Sequence, residues 1–275
     1  GGVYKSFDNG ETWENTGLGG GQTTCIIVSG NDLFAGGSFG VYQSSDDGSN
    51  WINVKSGGVS HLMANAGYLF ASGDGVFRSG DNGNTWTTIN TGFATTSEYR
   101  TFYALGADDI NIYVGGIHYS TTGGISTQFG SVYRSANNGA NWVASNTGLT
   151  GIGVTCFVSD GGYLFAGTNE TGMFRSGDNG LNWISVNAGL TNLKIRALAI
   201  GNGFLFAATW GGGVFRSANQ GSTWEAVNTG LFGTYIRSIA VSGSRLLAGT
   251  AGSGVYRSDD NGVNWTASNA GITSP

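Results

Sequence analysis

The 275 residues include 51 glycines, a single proline and 12% aromatic side chains, a mixture of many turns and packed strands that excludes a disordered chain. Only 11% of residues are charged and the net charge is -5, so the basic footprint of a nucleic-acid binder is missing. No apolar run reaches the length of a bilayer span, and no membrane insertion is expected.

In chain order the first element is "GVYKS" (2–6), a short strand that runs into "SFDNGETW" at Ser6. Similar stretches recur at Ser44, Ser79, Ser135, Ser176, Ser217 and Ser258, giving seven copies of S-x-[DN]-x-G-x-[TN]-W. Their tryptophans, Trp13, Trp51, Trp86, Trp142, Trp183, Trp224 and Trp265, are spaced by 38, 35, 56, 41, 41 and 41 residues. A period near 40 with four short strands per repeat is the pattern of propeller blades. The repeat from Lys194 shows it fully. "KIRALAI" reads as an inner strand A, "FLFAAT" as B, "VFRSA" as C and "TWEAVN" as D, separated by Gly- and Asn-rich turns. The chain is thus expected to be one all-β domain, a seven-bladed β-propeller. Its 1–18 segment is a half blade of strands C and D, followed by full blades at 19–57, 58–93, 94–149, 150–190, 191–231 and 232–275. A seven-bladed ring needs one further A–B pair, expected from upstream of Gly1 or beyond Pro275, with a ring that accommodates a half blade as the alternative; the chain is expected to be part of a larger multidomain protein.

The repeated motif resembles the Asp-box, or BNR repeat, across essentially the whole chain. That resemblance implies relatives among sialidases, family 74 xyloglucanases, sortilin-type receptors, photosystem II assembly factors and secreted bacterial surface proteins. It is specific for architecture and nearly silent about function. Within each box the Ser ends strand C, and Asp8, Asp46, Asp81, Asn137, Asp178, Asn219 or Asp260 accepts turn amides. The Gly supplies a positive φ, and the Trp covers the turn. Asn at 137 and 219 would be a poor ligand for a hard cation, so the boxes are read as structural, with no metal and no cofactor expected. The strand C cations Arg78, Arg134, Arg175, Arg216 and Arg257 recur with the repeat and are read as packing between blades. Cys25 and Cys156 share one repeat position, blades apart, and are expected to be buried free thiols.

Function is then sought where the repeat breaks. The resemblance places D-to-A and B-to-C connections on one face, the usual binding surface, with the boxes on the other. Arg100, Arg196 and Arg237 are read as one register at the start of strand A, facing Thr24, Ser60 and Thr155 at the equivalent places. Such cations suit a carboxylate, sulfate or phosphate; pairing with neighbouring loops is the alternative. Trp210, in a B-to-C loop, is open to stacking on a sugar or a partner, or to packing on the adjacent loop. The 56-residue interval holds an insertion, 115–130, read as a B-to-C loop carrying His118 and Tyr119. One His without a second ligand is weak evidence for a metal, and His61 is read as a packing residue.

A glycosidase would need a positioned carboxylate pair, for which the binding face offers Asp74, Glu98 and Glu170. The sialidase F/Y-R-I-P segment is absent, since the one proline is Pro275. The favoured expectation is a noncatalytic propeller of a secreted or cell-surface bacterial protein. Its partner would be a glycan, peptide or protein, held by Arg100, Arg196, Arg237, Trp210, His118 and Tyr119. An Asp-box glycoside hydrolase or polysaccharide lyase is the alternative, and an assembly factor or structural spacer a third.

Overall fold

The structure is a computed structural model that describes residues 2–19, 21–93, 100–122, 125–151 and 153–273; the side chains of 100, 118–122 and 125–129 lie outside the description. Every regular element among the described residues is a β-strand. The chain divides into two compact units, residues 1–5 with 14–144 and residues 6–13 with 145–275.

The first unit holds a two-stranded sheet, β1 (Tyr4–Lys5) with β2 (Glu14–Asn15), and three four-stranded antiparallel sheets. These are β3 (Thr23–Ser29), β4 (Asp32–Gly37), β5 (Gly40–Ser44) and β6 (Ile52–Lys55); β7 (Val59–Asn65), β8 (Tyr68–Gly73), β9 (Val76–Ser79) and β10 (Thr87–Thr88); and β11 (Arg100–Ala107), β12 (Ile112–Thr122), β13 (Ile125–Ser135) and β14 (Val143–Ala144). The second unit holds three more: β15 (Val154–Asp160), β16 (Tyr163–Thr168), β17 (Met173–Ser176) and β18 (Ile184–Ser185); β19 (Ile195–Gly201), β20 (Phe204–Thr209), β21 (Gly213–Ser217) and β22 (Glu225–Ala226); and β23 (Ile236–Ser242), β24 (Arg245–Thr250), β25 (Val255–Ser258) and β26 (Thr266–Ala267). Each is a meander in chain order, because its connections, short turns and the longer box loops, all fall below the dozen or so residues that a parallel crossover needs. The fold class is therefore the all-β propeller of four-stranded blades, here six blades and one partial sheet.

Within each unit the core lies between successive sheets. Phe206, Val214 and Val227 pack with Ile236, Leu246, Tyr256 and Trp265 of the next sheet. Phe70, Val76 and Ile89 pack in the same way with Phe102, Val114, Tyr133 and Trp142. Strand B is buried almost throughout, as in "FLFAAT", so its run of apolar residues reads as continuous rather than alternating. Each such side chain contributes about 1.5–3 kcal/mol on burial.

Two expectations change. The 115–130 insertion is not a loop: it lengthens β12 and β13 to eleven residues each, paired without a break from Ile112↔Ser135 to Thr122↔Ile125. The β-branched and aromatic residues of "IHYSTT" and "ISTQF" favour that pairing. The second concerns strand D, where only two residues pair in every full blade except that of β6. Each box Trp stands just before that strand rather than within it.

Candidate functional site

The repeated turn shares three hydrogen bonds in all seven copies. At Ser79 the hydroxyl donates to Asp81 Oδ1 at 2.8 Å and accepts the Gly83 N–H at 2.9 Å, while Asp81 accepts the Thr85 N–H (2.8 Å) and hydroxyl (2.6 Å). At Asn219 the side-chain oxygen takes the same two donors, Ser217 Oγ and Thr223 N–H, and Nδ2 donates to Thr223 Oγ1. An amide thus replaces the carboxylate without losing a bond. The residue before the Gly also has a positive φ, 55° at Asn82 and 56° at Gln220, which accounts for the Asn-rich position.

Five of the seven tryptophans tie their turn to the preceding sheet. Trp265 donates its backbone N–H to Thr229 O and its indole N–H to Val227 O, both at 2.8 Å. Trp13, Trp142, Trp183 and Trp224 repeat the pattern. Trp51 and Trp86 instead donate to Gly48 O and Gly83 O of their own loops. The Asn of N-[TA]-G is a second fastener. Asn187, Asn228 and Asn269 accept the N–H of Met173, Val214 and Val255 at 2.7 Å, and Asn90 that of Val76 at 2.9 Å. Its recurrence four residues after the box Trp, at Trp86 and Asn90, Trp183 and Asn187, Trp224 and Asn228, and Trp265 and Asn269, is the available signal. The strand C cations serve the same end. Arg78, Arg175 and Arg216 stack on Tyr68, Tyr163 and Phe204 and donate to the carbonyls of Asn138, Gln220 and Asn261 in the next box.

These bonds predict a loss of stability in acid. The Thr12 hydroxyl and amide, then the Ser6 hydroxyl, lower the Asp8 carboxyl from 3.8 to about 2, and the Asn50 side chain and amide do the same for Asp46. A depressed folded-state pKa contributes stability that is present above the unfolded value and lost as pH falls through about 2. Asp8→Asn with Asp46→Asn is expected to flatten the loss of tryptophan-monitored stability between about pH 4 and pH 2. An unchanged acid curve would show that the turn carboxylates do not drive it.

The departures from the repeat gather at the opposite ends of the strands. Strand A carries a β-bulge near its start, and the bulged residue is Thr24, Ser60, Thr155, Arg196 or Arg237. In β11 it falls between Phe102 and Ala104, at Tyr103, while Arg100 lies three residues earlier opposite His118. Arg100 is thus out of the register assigned to it, because the extended β11 adds residues before the bulge, and Tyr103, 38% exposed, occupies the place. The side chains of Arg100, His118 and Tyr119 lie outside the described residues, as does all of Glu98. The hydroxyls of the register are also fasteners. Thr24 Oγ1 donates to Gly36 O and Val59 O, and Thr155 Oγ1 to Gly167 O and Ile195 O, each reaching the next strand A.

Arg196, Arg237 and Trp210 come together within the second unit. The loop after β20 is pinned on both sides: the Trp210 N–H donates to Lys194 O at 2.8 Å, and the Gly211 and Gly213 N–H groups donate to Thr234 O at 3.0 Å. The Trp210 ring is half-buried. Both guanidinium carbons stand 5.2 Å from its centroid, and the Tyr235 ring meets it edge-on at 5.1 Å and 71°. Among the described residues no carboxylate pairs with either Arg, and Arg196 Nε is buried without a hydrogen-bond partner. Tyr235 and Phe232, 50% and 77% exposed, extend the patch. The arrangement offers two fixed cations beside an aromatic surface.

The remaining candidates stand apart from this cluster. Asp74 is exposed in the turn after β8, where its charge acts on Lys55, whose ammonium burial holds below the ordinary lysine range. Glu170 is exposed in the turn after β16. Cys25 is half-buried and Cys156 buried, both free, and burial pushes their thiols up to about 11 and about 12, far from a nucleophile's range. Burial lowers His61 to about 4. No group of three or more His, Cys, Asp or Glu able to hold a metal occurs among the described residues.

This geometry defines the class, a β-propeller whose departures from the repeat lie at the strand A bulges and in the loop after β20. No protein-family model matches the chain, and no curated protein does. Solved structures do. The chain is similar to an ancestral GH74 enzyme at 18% identity and a TM-score of 0.66, over 97% of this chain and 39% of that one, and so spans about two fifths of that enzyme. It is similar to YCF48 from Cyanidioschyzon merolae at 18% identity and a TM-score of 0.61, covering 88% and 83% of the two chains. A structure described as YCF48 bound to D1 peptide matches at 16% identity and a TM-score of 0.55, over 76% and 67%. At these identities the likeness establishes the fold.

Proposed function

We propose that this chain is a noncatalytic, seven-bladed binding propeller that takes a carboxylate-bearing peptide on the face carrying Trp210, Arg196 and Arg237. The observation that carries the reading is the unpaired state of the two guanidiniums. A buried guanidinium N–H without a partner costs free energy that an anionic ligand returns as a charge-assisted hydrogen bond, and the ring holds both cations for it. Exposed Tyr235 and Phe232 supply apolar contact of the kind found at peptide interfaces. The YCF48 complex is an instance of a similar fold accommodating a peptide.

The hydrolase or lyase reading lacks a comparable observation. It needs a carboxylate pair, and the charge of Asp74 acts on Lys55. An assembly factor would be one form of the proposed binder, and a spacer would bind nothing.

The test is an array of acidic and neutral peptides, with neutral and uronic-acid glycans alongside. Capture of acidic over neutral peptides, weakened tenfold or more by Arg196→Gln or Arg237→Ala (about 1.4 kcal/mol), is expected. Capture of glycans alone, or release of reducing sugar from them, would overturn the proposal.

A further inference from the structure

The strand C cations of the second unit stack on an aromatic residue that begins strand B, Tyr163 under Arg175 and Phe204 under Arg216. In the last sheet that place is held by Arg245 beside Arg257. A second aromatic is missing there too. Phe165 packs beneath Gly221 of the following box, whereas Gly10 meets Leu247. The two replacements leave a cleft of about 510 Å³ lined by Phe7, Arg245, Leu247, Asp259, Ser242 and Ser244, among others. A smaller cavity of about 210 Å³ lies by Asn111 and Arg134, where Asn111 likewise stands in for the stacking aromatic. The cavities mark the same departure from the repeat.

The cleft is a fixed structure. The box loop 6–13 is bonded to the last sheet through Trp13 N–H to Ala270 O and the Trp13 indole to Ser268 O. Arg245 donates to Asp259 at 2.6 Å and to Asn9 O, and Arg257 turns to Glu11 at 2.5 Å. The charges therefore cancel in pairs, which disfavours a simple anion or cation as occupant. Open hydrogen-bonding capacity remains: the Asp259 side chain is 53% exposed, and serine hydroxyls line the wall. Phe7, 75% exposed, adds an aromatic face. Planar polar side chains with paired charge, hydroxyls and an exposed aromatic ring match a neutral, hydroxyl-rich ligand, and the volume falls in the range of small-ligand sites.

We propose that this cleft is a second binding site, independent of the Trp210 face, for a neutral oligosaccharide. Sugar hydroxyls donate to Asp259 and exchange bonds with Ser242 and Ser244, and an apolar sugar face lies on Phe7.

Calorimetric titration with cellohexaose, xylohexaose and mannohexaose tests the assignment. At least one is expected to bind with a dissociation constant of about 1 mM or tighter. Arg245→Tyr with Leu247→Phe restores residue types that the other sheets carry, so the fold should be kept while the cleft is filled; affinity should drop tenfold or more. Phe7→Ala should weaken binding threefold or more, and Arg237→Ala should leave it unaltered. No binding of the three sugars, binding unchanged in the filled variant, or binding lost in Arg237→Ala would each overturn the proposal. None of these outcomes bears on acidic peptide binding at the other face.

Discussion

Trp265→Ala is expected to cost about 3–5 kcal/mol, the usual loss for truncating a buried tryptophan. The side chain is 3% exposed and packs among Val227, Ile236, Leu246 and Tyr256, so little of the cavity can collapse. Removing it also leaves Val227 O without the indole donor, adding a buried acceptor with no partner. Trp51→Ala is the matched control. Trp51 is half-buried and its indole bonds only its own turn at Gly48, so its loss should be clearly smaller. Urea denaturation of both variants measures the difference. Equal losses would mean that the bonds from one sheet's Trp to the preceding sheet contribute nothing beyond local packing.

Gly230→Ala is expected to destabilise by about 2–3 kcal/mol, more than its conformation alone explains. Gly230 has φ +81°, and a Cβ there would overlap the carbonyl oxygen of Trp265 in the next sheet. A left-handed backbone costs an L-residue about 1–2 kcal/mol; the clash comes on top. Gly243→Ala separates the two effects, since Gly243 has φ +59° and nothing within 4 Å of the added carbon. Its cost should stay near about 1 kcal/mol. Should the two variants lose the same stability, close approach between sheets is not what requires Gly230.

The strands and turns were legible because each repeat states them in local terms: an apolar run, a Gly- or Asn-rich turn, and a box with its own hydrogen bonds. What depends on pairing between strands is not legible in the local pattern. The bulge in strand A depends on pairing with strand B, so Arg100 looked equivalent to Arg196 when Tyr103 holds that place. The 115–130 stretch looked like a loop because it interrupts the period, yet its own residues pair as strands. The Asn fasteners bond a residue 14 positions back, a distance at which no turn signal operates. Of the proposed site, Trp210 and Arg237 were visible as departures, and their approach across two loops became visible only with the backbone pairing of Trp210 and Tyr235. Phe232 and Tyr235 sit in a stretch that read merely as a connector.

The account separates fasteners, which repeat, from binding groups, which do not. Its most direct test measures acidic-peptide affinity and melting temperature together in Arg237→Ala and in Asn228→Ala. Arg237 is exposed and unpaired among the described residues, whereas Asn228 bonds Val214 N–H and Gly212 O. The account predicts lost affinity with an unchanged melting temperature for the first, and a lowered melting temperature with affinity retained below it for the second. Affinity retained in Arg237→Ala would contradict it.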